Sequence, residues 1–147
     1  MAELLANEPL WIALAATLAA QIVKILIVAA TERRFAPERL LETGGMPSSH
    51  SAAVTGLAIS IGIGYGWSSP LFAIAAVTGG IVMYDATGIR RAAGMQAQLI
   101  NDLVDELAHL FDEGFQPQAL KTLLGHTYPQ VLIGGLLGAL TAVVLSG

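Results

Sequence analysis

PLWIALAATLAAQIVKILIVAA, residues 9–30, is an almost unbroken run of Ala, Leu, Ile and Val. At about 1.5 Å per helical residue it crosses the roughly 30 Å hydrocarbon core of a bilayer, and so predicts a first membrane span. Its polar interruptions, Gln21 and Lys24, sit three apart and share one helix face near the C-terminal end. Lys24 there either snorkels to the interface or faces inward as a functional cation. The preceding MAELLANE lacks the basic start of a secretory signal, so the run is expected to stay in the mature protein. Composition points the same way. Of 147 residues 54% are hydrophobic and 12% charged, and the mean hydropathy is +0.66, which leaves too little polar surface to cover a water-soluble globule. The absence of cysteine excludes disulfides, thiolate metal sites and a cysteine nucleophile. The net charge of -4 by itself says little, and no nucleic-acid partner is expected.

Downstream of this run, Thr31 to Glu42 is a polar connection carrying Arg33, Arg34 and Arg39 beside Glu32, Glu38 and Glu42. It leads into Thr43-Gly44-Gly45-Met46-Pro47-Ser48-Ser49-His50-Ser51, where glycine, proline, hydroxyls and a histidine crowd the mouth of the next apolar run. Ser48 and Ser49 can cap the first turn, and the free N–H groups there form an anion site. The stretch reads either as a ligand loop with phosphate chemistry or as a plain helix cap.

Further spans are expected at about 48–67, 70–86 and 129–146. Gly62 and Gly66, Gly79 and Gly80, and Gly134 and Gly138 are spaced for close helix approach, and Trp67 and Tyr84 suit interfacial positions. Over about 93–112 the residues Met95, Leu99, Leu103, Leu107 and Leu110 recur at helical spacing opposite Asn101, Asp102, Asp105 and Glu106, predicting an interfacial amphipathic helix. Asp85, Asn101, Asp102 and Asp105 could make an oxygen-rich magnesium site, but acids on an amphipathic helix read better as a solvated face, with His109 on the surface. The expected architecture is therefore an all-α integral membrane bundle, four transmembrane helices plus an amphipathic helix, forming a single membrane domain over 1–147. Its small-residue stripes also make a homodimer plausible.

Four crossings place both termini outside and gather the basic residues Lys24, Arg33, Arg34, Arg39, Arg90, Arg91 and Lys121 on the other face, which the positive-inside rule makes cytoplasmic. The same topology converges Lys24, Ser48, Ser49, His50, Asp85, Arg90, Arg91, Lys121 and His126. Two histidines, several cations and a helix N-terminus supply what phosphoryl transfer needs: a nucleophile, an acid for the leaving oxygen and fixed positive charge. The alternative is a chance cluster of interfacial polar residues.

Lys24, Pro47-Ser48-Ser49-His50, and Lys121 followed by His126 together resemble the three-part signature of the type 2 phosphatidic acid phosphatase and vanadium haloperoxidase superfamily: KxxxxxxRP, PSGH and SRxxxxxHxxxD. GGMPSSHSA, DATGIRRAAGMQ and GHTYPQV resemble more specifically its small divergent branch. The resemblance implies that His126 is the nucleophile of a phosphohistidine intermediate and that His50 protonates the leaving alcohol. It implies that Lys24, Ser48, Ser49 and Lys121 hold the phosphate of a phosphorylated lipid, with Arg90 or Arg91 as a further cation and no metal or other cofactor. The chain departs from the pattern in three places. Thr31-Glu32 stands where RP is counted, Lys121 lies five rather than six before His126 and replaces arginine, and Gln130 stands where an acid would orient the nucleophile. Asp85 is the candidate to replace that acid, its competing role being a salt bridge to Arg90 or Arg91. The expected activity is a lipid phosphate phosphatase acting on phosphatidic acid or a prenyl phosphate, and the alternative is an inactive module that binds a phosphorylated lipid or a protein partner.

Overall fold

The computed structural model describes residues 2–33, 44–107, 118–122 and 124–147. The short α1 (Ala2–Leu5) precedes α2 (Glu8–Glu32), α3 (Ser49–Tyr65), α4 (Pro70–Thr87), α5 (Ile89–Glu106) and α6 (Tyr128–Leu145), and there is no strand among the described residues. The helix starts are written locally. Asn7 Oδ1 accepts from Leu10 N at 3.2 Å, Ser69 Oγ from Phe72 N at 3.2 Å and Ser48 Oγ from Ser51 N at 3.3 Å. Proline lies in the first turn of α2, α4 and α6, where its missing N–H has no helical partner to lose.

The protein is an all-α membrane bundle. Glu8–Thr31, Pro70–Glu106 and Tyr128–Leu145 are long and apolar enough to cross a membrane, α4 being the apolar part of the second. α3, at 17 residues, rises about 26 Å and packs against α2, α4 and α6, so it is the centre of the bundle. Large apolar side chains point outward, among them Leu14, Leu18, Ile22 and Leu26 on α2 and Leu71, Ile74, Val77 and Ile81 on α4. Small ones point inward. Hydroxyls inside the spans are satisfied by the helix itself: Thr17 donates to the Ala13 carbonyl and Thr141 to the Leu137 carbonyl, each at 2.8 Å.

Ala16, Ala20 and Ala52 are fully buried at the α2–α3 contact, with Leu137 of α6 against them. A methyl group added at Gly138 would run into the Ala52 carbonyl, and one at Gly134 into the Ser48 carbonyl, so the glycine pair of α6 sets how closely it meets α3. The other expected glycine pairs divide. Gly79 meets Val54 across the α3–α4 contact, whereas Gly80 faces open space. Gly62 accommodates the Trp67 ring, and Gly66, at φ +91°, ends α3, so neither brings a second helix close. Trp67 instead stacks edge-on against Phe72, ring centroids 5.1 Å apart.

The amphipathic helix begins earlier than its apolar period indicates. Gly88 closes α4 and α5 starts at Ile89, so Arg90 and Arg91 occupy its first turn. The basic cluster Arg34 and Arg39, with His109 and Leu110, lies outside the described residues.

Candidate functional site

On α2 the buried stripe repeats every fourth residue, Ile12, Ala16, Ala20 and then Lys24, which is 2% exposed. Lys24 thus faces into the bundle. Gly45, at φ +88°, lies along its aliphatic stem: a Cβ there would stand 3.5 to 3.7 Å from Lys24 Cγ, Cδ and Cε. This brings Gly45, just before the α3 entry, against α2 at Lys24, about two turns before that helix ends. Ser48 is fully buried and spends its hydroxyl on Ser51, accepting from the backbone and lying 3.0 Å from Ser51 Oγ. Ser48 therefore caps α3 and Ser49 is buried beside it, while His50 stands exposed on the first turn.

Two backbone hydrogen bonds hold the histidine-bearing segments together. Ser48 N–H donates to the Gln130 carbonyl at 3.0 Å, tying the α3 entry to α6, and His126 N–H donates to the Ala86 carbonyl at 2.8 Å, tying the α6 entry to α4. Gly125, at φ +78°, packs so tightly on the Arg90–Arg91 backbone that no side chain fits there. The result is a His50–His126 pair with ring centroids 6.2 Å apart, tilted by 57°.

His50, Asp85, Arg90 and His126 line one cavity of about 200 Å³, walled on the membrane side by Ile81 and Val82. His126 also borders a second cavity of about 380 Å³, which holds Gly45, Arg91, Gln98 and Gln130. The adjacent arginines thus face different cavities on either side of His126. Both His50 and His126 feel the charge of Lys24, and His50 that of Arg90. Lys121 is exposed and borders neither cavity.

Asp85 accepts from Arg90 Nε at 2.5 Å, which forms the competing salt bridge. Among the described residues neither ring nitrogen of His126 makes a hydrogen bond of good geometry. The direct Asp85–His126 bond expected as a replacement for the family acid is therefore not formed, and the carboxylate is taken by Arg90, five residues on across the Gly88 break. Gln130 Oε1 accepts from Thr127 N at 2.9 Å, closing the first turn of α6 in the manner of a capping box. Burial lowers the His126 pKa below the ordinary histidine value. The nearby Gln130 side chain opposes this, the charges of His50 and Lys24 add to it, and the Gly45 backbone again opposes it. The net effect leaves the imidazole neutral near pH 7.

Sequence reasoning missed what holds the segment before His126. Asn101 on α5 makes two hydrogen bonds with Leu120, donating from Nδ2 to its carbonyl and accepting from its N–H, both at 2.9 Å. Gly94 lets Thr122 and Leu124 lie directly on α5. Asn101 is thus a backbone clamp rather than a metal ligand, and Asp102 and Asp105 are exposed. The only sequence signal was an amide among acids on one helix face.

No solved structure matches the chain. The protein described as "Uncharacterized membrane protein YuiD" of Bacillus subtilis (strain 168) is 44% identical to it, over 98% of this chain and 97% of that relative. Both histidines, the buried lysine and the Asp85–Arg90 pair lie within residues 5–141, which match the Divergent PAP2 family, and the chain belongs to that family.

Proposed function

We propose that this integral membrane protein is a lipid phosphate phosphatase that hydrolyses a phosphate monoester or diphosphate of a lipid, of phosphatidic acid or prenyl type, through a phosphohistidine. The observation that carries this reading is the pair of histidines 6.2 Å apart on one cavity with Arg90. A neutral His126 nitrogen attacks phosphorus as the P–O bond to the lipid alcohol breaks, and His50 gives its proton to the leaving oxygen. Water then attacks the phosphohistidine, His50 takes the water's proton, the N–P bond breaks and orthophosphate leaves. Arg90 and Lys24 supply fixed positive charge to the phosphoryl oxygens. With α3 as the second of four crossings, both termini lie outside and the site opens to the cytoplasm, in line with the positive-inside rule.

The test is phosphate release by the purified protein in detergent from a panel of lipid phosphates. His126→Ala and His50→Ala should each lose about 10²-fold or more. Equal release by wild type and both variants would rule out the assigned chemistry.

One observation favours a second reading, a module that binds a phosphorylated lipid or a partner without turnover. Among the described residues His126 has no carboxylate on its ring, and Gln130 is engaged by Thr127. In a Ser-His-Asp triad the acid-to-amide change lowers turnover by about 10⁴. Lipid binding without phosphate release, and no phosphohistidine trapped after a brief substrate pulse, would support this reading.

A further inference from the structure

His126 stands between two cavities, and the phosphate reading uses only the one it shares with His50 and Arg90. The other, of about 380 Å³, runs from Gly45 before the α3 entry to Arg91 and Gln98 on α5. Thr122, Thr127 and Gln130 also border it, and no carboxylate lines it among the described residues. His126 is 3% exposed, and both its ring nitrogens are without a hydrogen bond of good geometry there. A neutral imidazole carries one N–H and one bare nitrogen. In the phosphate reading the bare nitrogen meets phosphorus, so the N–H needs an acceptor, and a buried donor without one is costly. The nearby acceptors are committed or uncharged. Asp85 is paired with Arg90, Gln130 Oε1 accepts from Thr127 N–H, and the Gly45 backbone near the ring carries no charge.

We propose that this second cavity binds a small carboxylate, held by the Arg91 guanidinium and accepting the N–H of His126 on the side away from the substrate phosphate. The effect on turnover rests on the phosphohistidine reading above; the binding itself does not. A carboxylate suits the cavity because its two oxygens match the parallel donors of an arginine and each keeps a lone pair for another donor, such as the His126 ring or the Gln98 amide. A halide has no such fork. As the nitrogen–phosphorus bond forms, the ring gains positive charge while its N–H proton stays in place. The carboxylate stabilises that charge without taking the proton, which the amide of Gln130 cannot do.

The test measures phosphate release from hexadecyl phosphate by the full-length protein in detergent, sodium formate replacing sodium chloride at constant ionic strength. Formate should raise kcat saturably by about 10-fold, the effect of one hydrogen bond to a charged group. It should also move the acid limb to higher pH, since a negative charge beside His126 favours its protonated form. In Arg91→Ala the formate-to-chloride rate ratio should fall to one, and Arg91→Lys, which keeps the charge but not the fork, should need several-fold more formate. Met95→Trp fills the same cavity from α5 with every charge in place and gives the same readout should Arg91→Ala not fold. Inhibition competitive with substrate would put formate in the first cavity and overturn the inference, as would an undiminished formate response in both Arg91→Ala and Met95→Trp.

A free acid and the carboxylate of a lipid headgroup present the same chemistry. Micelles containing phosphatidylserine, compared with phosphatidylglycerol, which is anionic but has no carboxylate, distinguish the two sources. Binding is read separately by nitrogen NMR of labelled histidine, the His126 signal being the one lost in His126→Ala. If formate moves that signal in a preparation that releases no phosphate, the carboxylate site stands and the hydrolytic reading falls. If phosphate is released but neither rate nor signal answers to formate or phosphatidylserine, water fills the cavity and the inference is overturned.

Discussion

Replacing Gly134 by alanine tests whether the histidine geometry depends on how closely α6 meets the α3 entry. The added methyl carbon would lie 3.1 Å from both the Ser48 amide nitrogen and its carbonyl carbon, and closer still to the carbonyl oxygen. These are backbone atoms in a fully buried cap, so no side chain can turn aside and α6 must back away by roughly 1 Å. Overpacking of this kind costs about 1–3 kcal/mol. The move also lengthens the 3.0 Å Ser48–Gln130 hydrogen bond, worth about 1 kcal/mol. Alanine's higher helix propensity returns at most about 1 kcal/mol, so a net loss of about 1–3 kcal/mol remains. The same displacement separates His50, two residues after Ser48, from His126, four before Gln130, and a 1 Å misplacement can cost about 10² in rate. Thermal unfolding in detergent, with phosphate release measured on the same preparation, reads both effects. Gly80→Ala is the control, since nothing lies within 4 Å of a Cβ there, and it should be neutral or slightly stabilising. If Gly134→Ala melts and turns over like Gly80→Ala, the glycine contact does not set the site.

Because burial lowers the His126 pKa, the acid limb of kcat/KM should lie below pH 6.5, the ordinary histidine value. The sign for stability follows from linkage. The unfolded chain binds this proton first, so the His126 contribution is complete above about pH 6.5 and is lost as pH falls toward the lowered folded value; melting curves between pH 5 and 8 in detergent would read it. Gln130→Glu retains the acceptor for Thr127 N–H and adds a negative charge near the ring, so it should move that limb to higher pH; an unmoved limb would disconnect residue 130 from His126. Asn101→Ala removes two exposed hydrogen bonds, at a cost of about 1 kcal/mol, and should raise hydrogen exchange at Leu120 while leaving α2 and α3 protected. Asp85→Asn releases Arg90, and its KM for a lipid phosphate should rise several-fold with the pH limb in place; a shifted limb would instead mean that Asp85 acts on His126.

Element type and the membrane setting could be read from local patterns. Residues 9–30 are apolar for the length of a bilayer crossing, and Asn7, Ser48 and Ser69 mark helix starts that the folded chain uses. Helix breaks were harder to see. Gly88 separates α4 from α5 by a single residue inside a charged stretch, and the apolar period that identified the amphipathic helix begins only after that break. Glycine spacing alone could not distinguish Gly134 and Gly138, which meet backbone, from Gly62 and Gly66, which meet a ring and a turn, because the partner surface is distant in sequence.

The sequence by itself determined that the chain is a helical membrane protein with His50 and His126 at the ends of apolar runs, since hydropathy and capping are properties of neighbours along the chain. Which way Lys24 turns, whether Asp85 meets Arg90 or His126, and which cavity each arginine enters were decided only by tertiary structure. Those outcomes depend on contacts between residues tens of positions apart. Small residues at Ala16, Ala52, Gly134 and Gly138 draw α2, α3 and α6 together and leave α4 standing off from α6. That arrangement turns a set of polar residues scattered along the chain into one histidine-lined cavity.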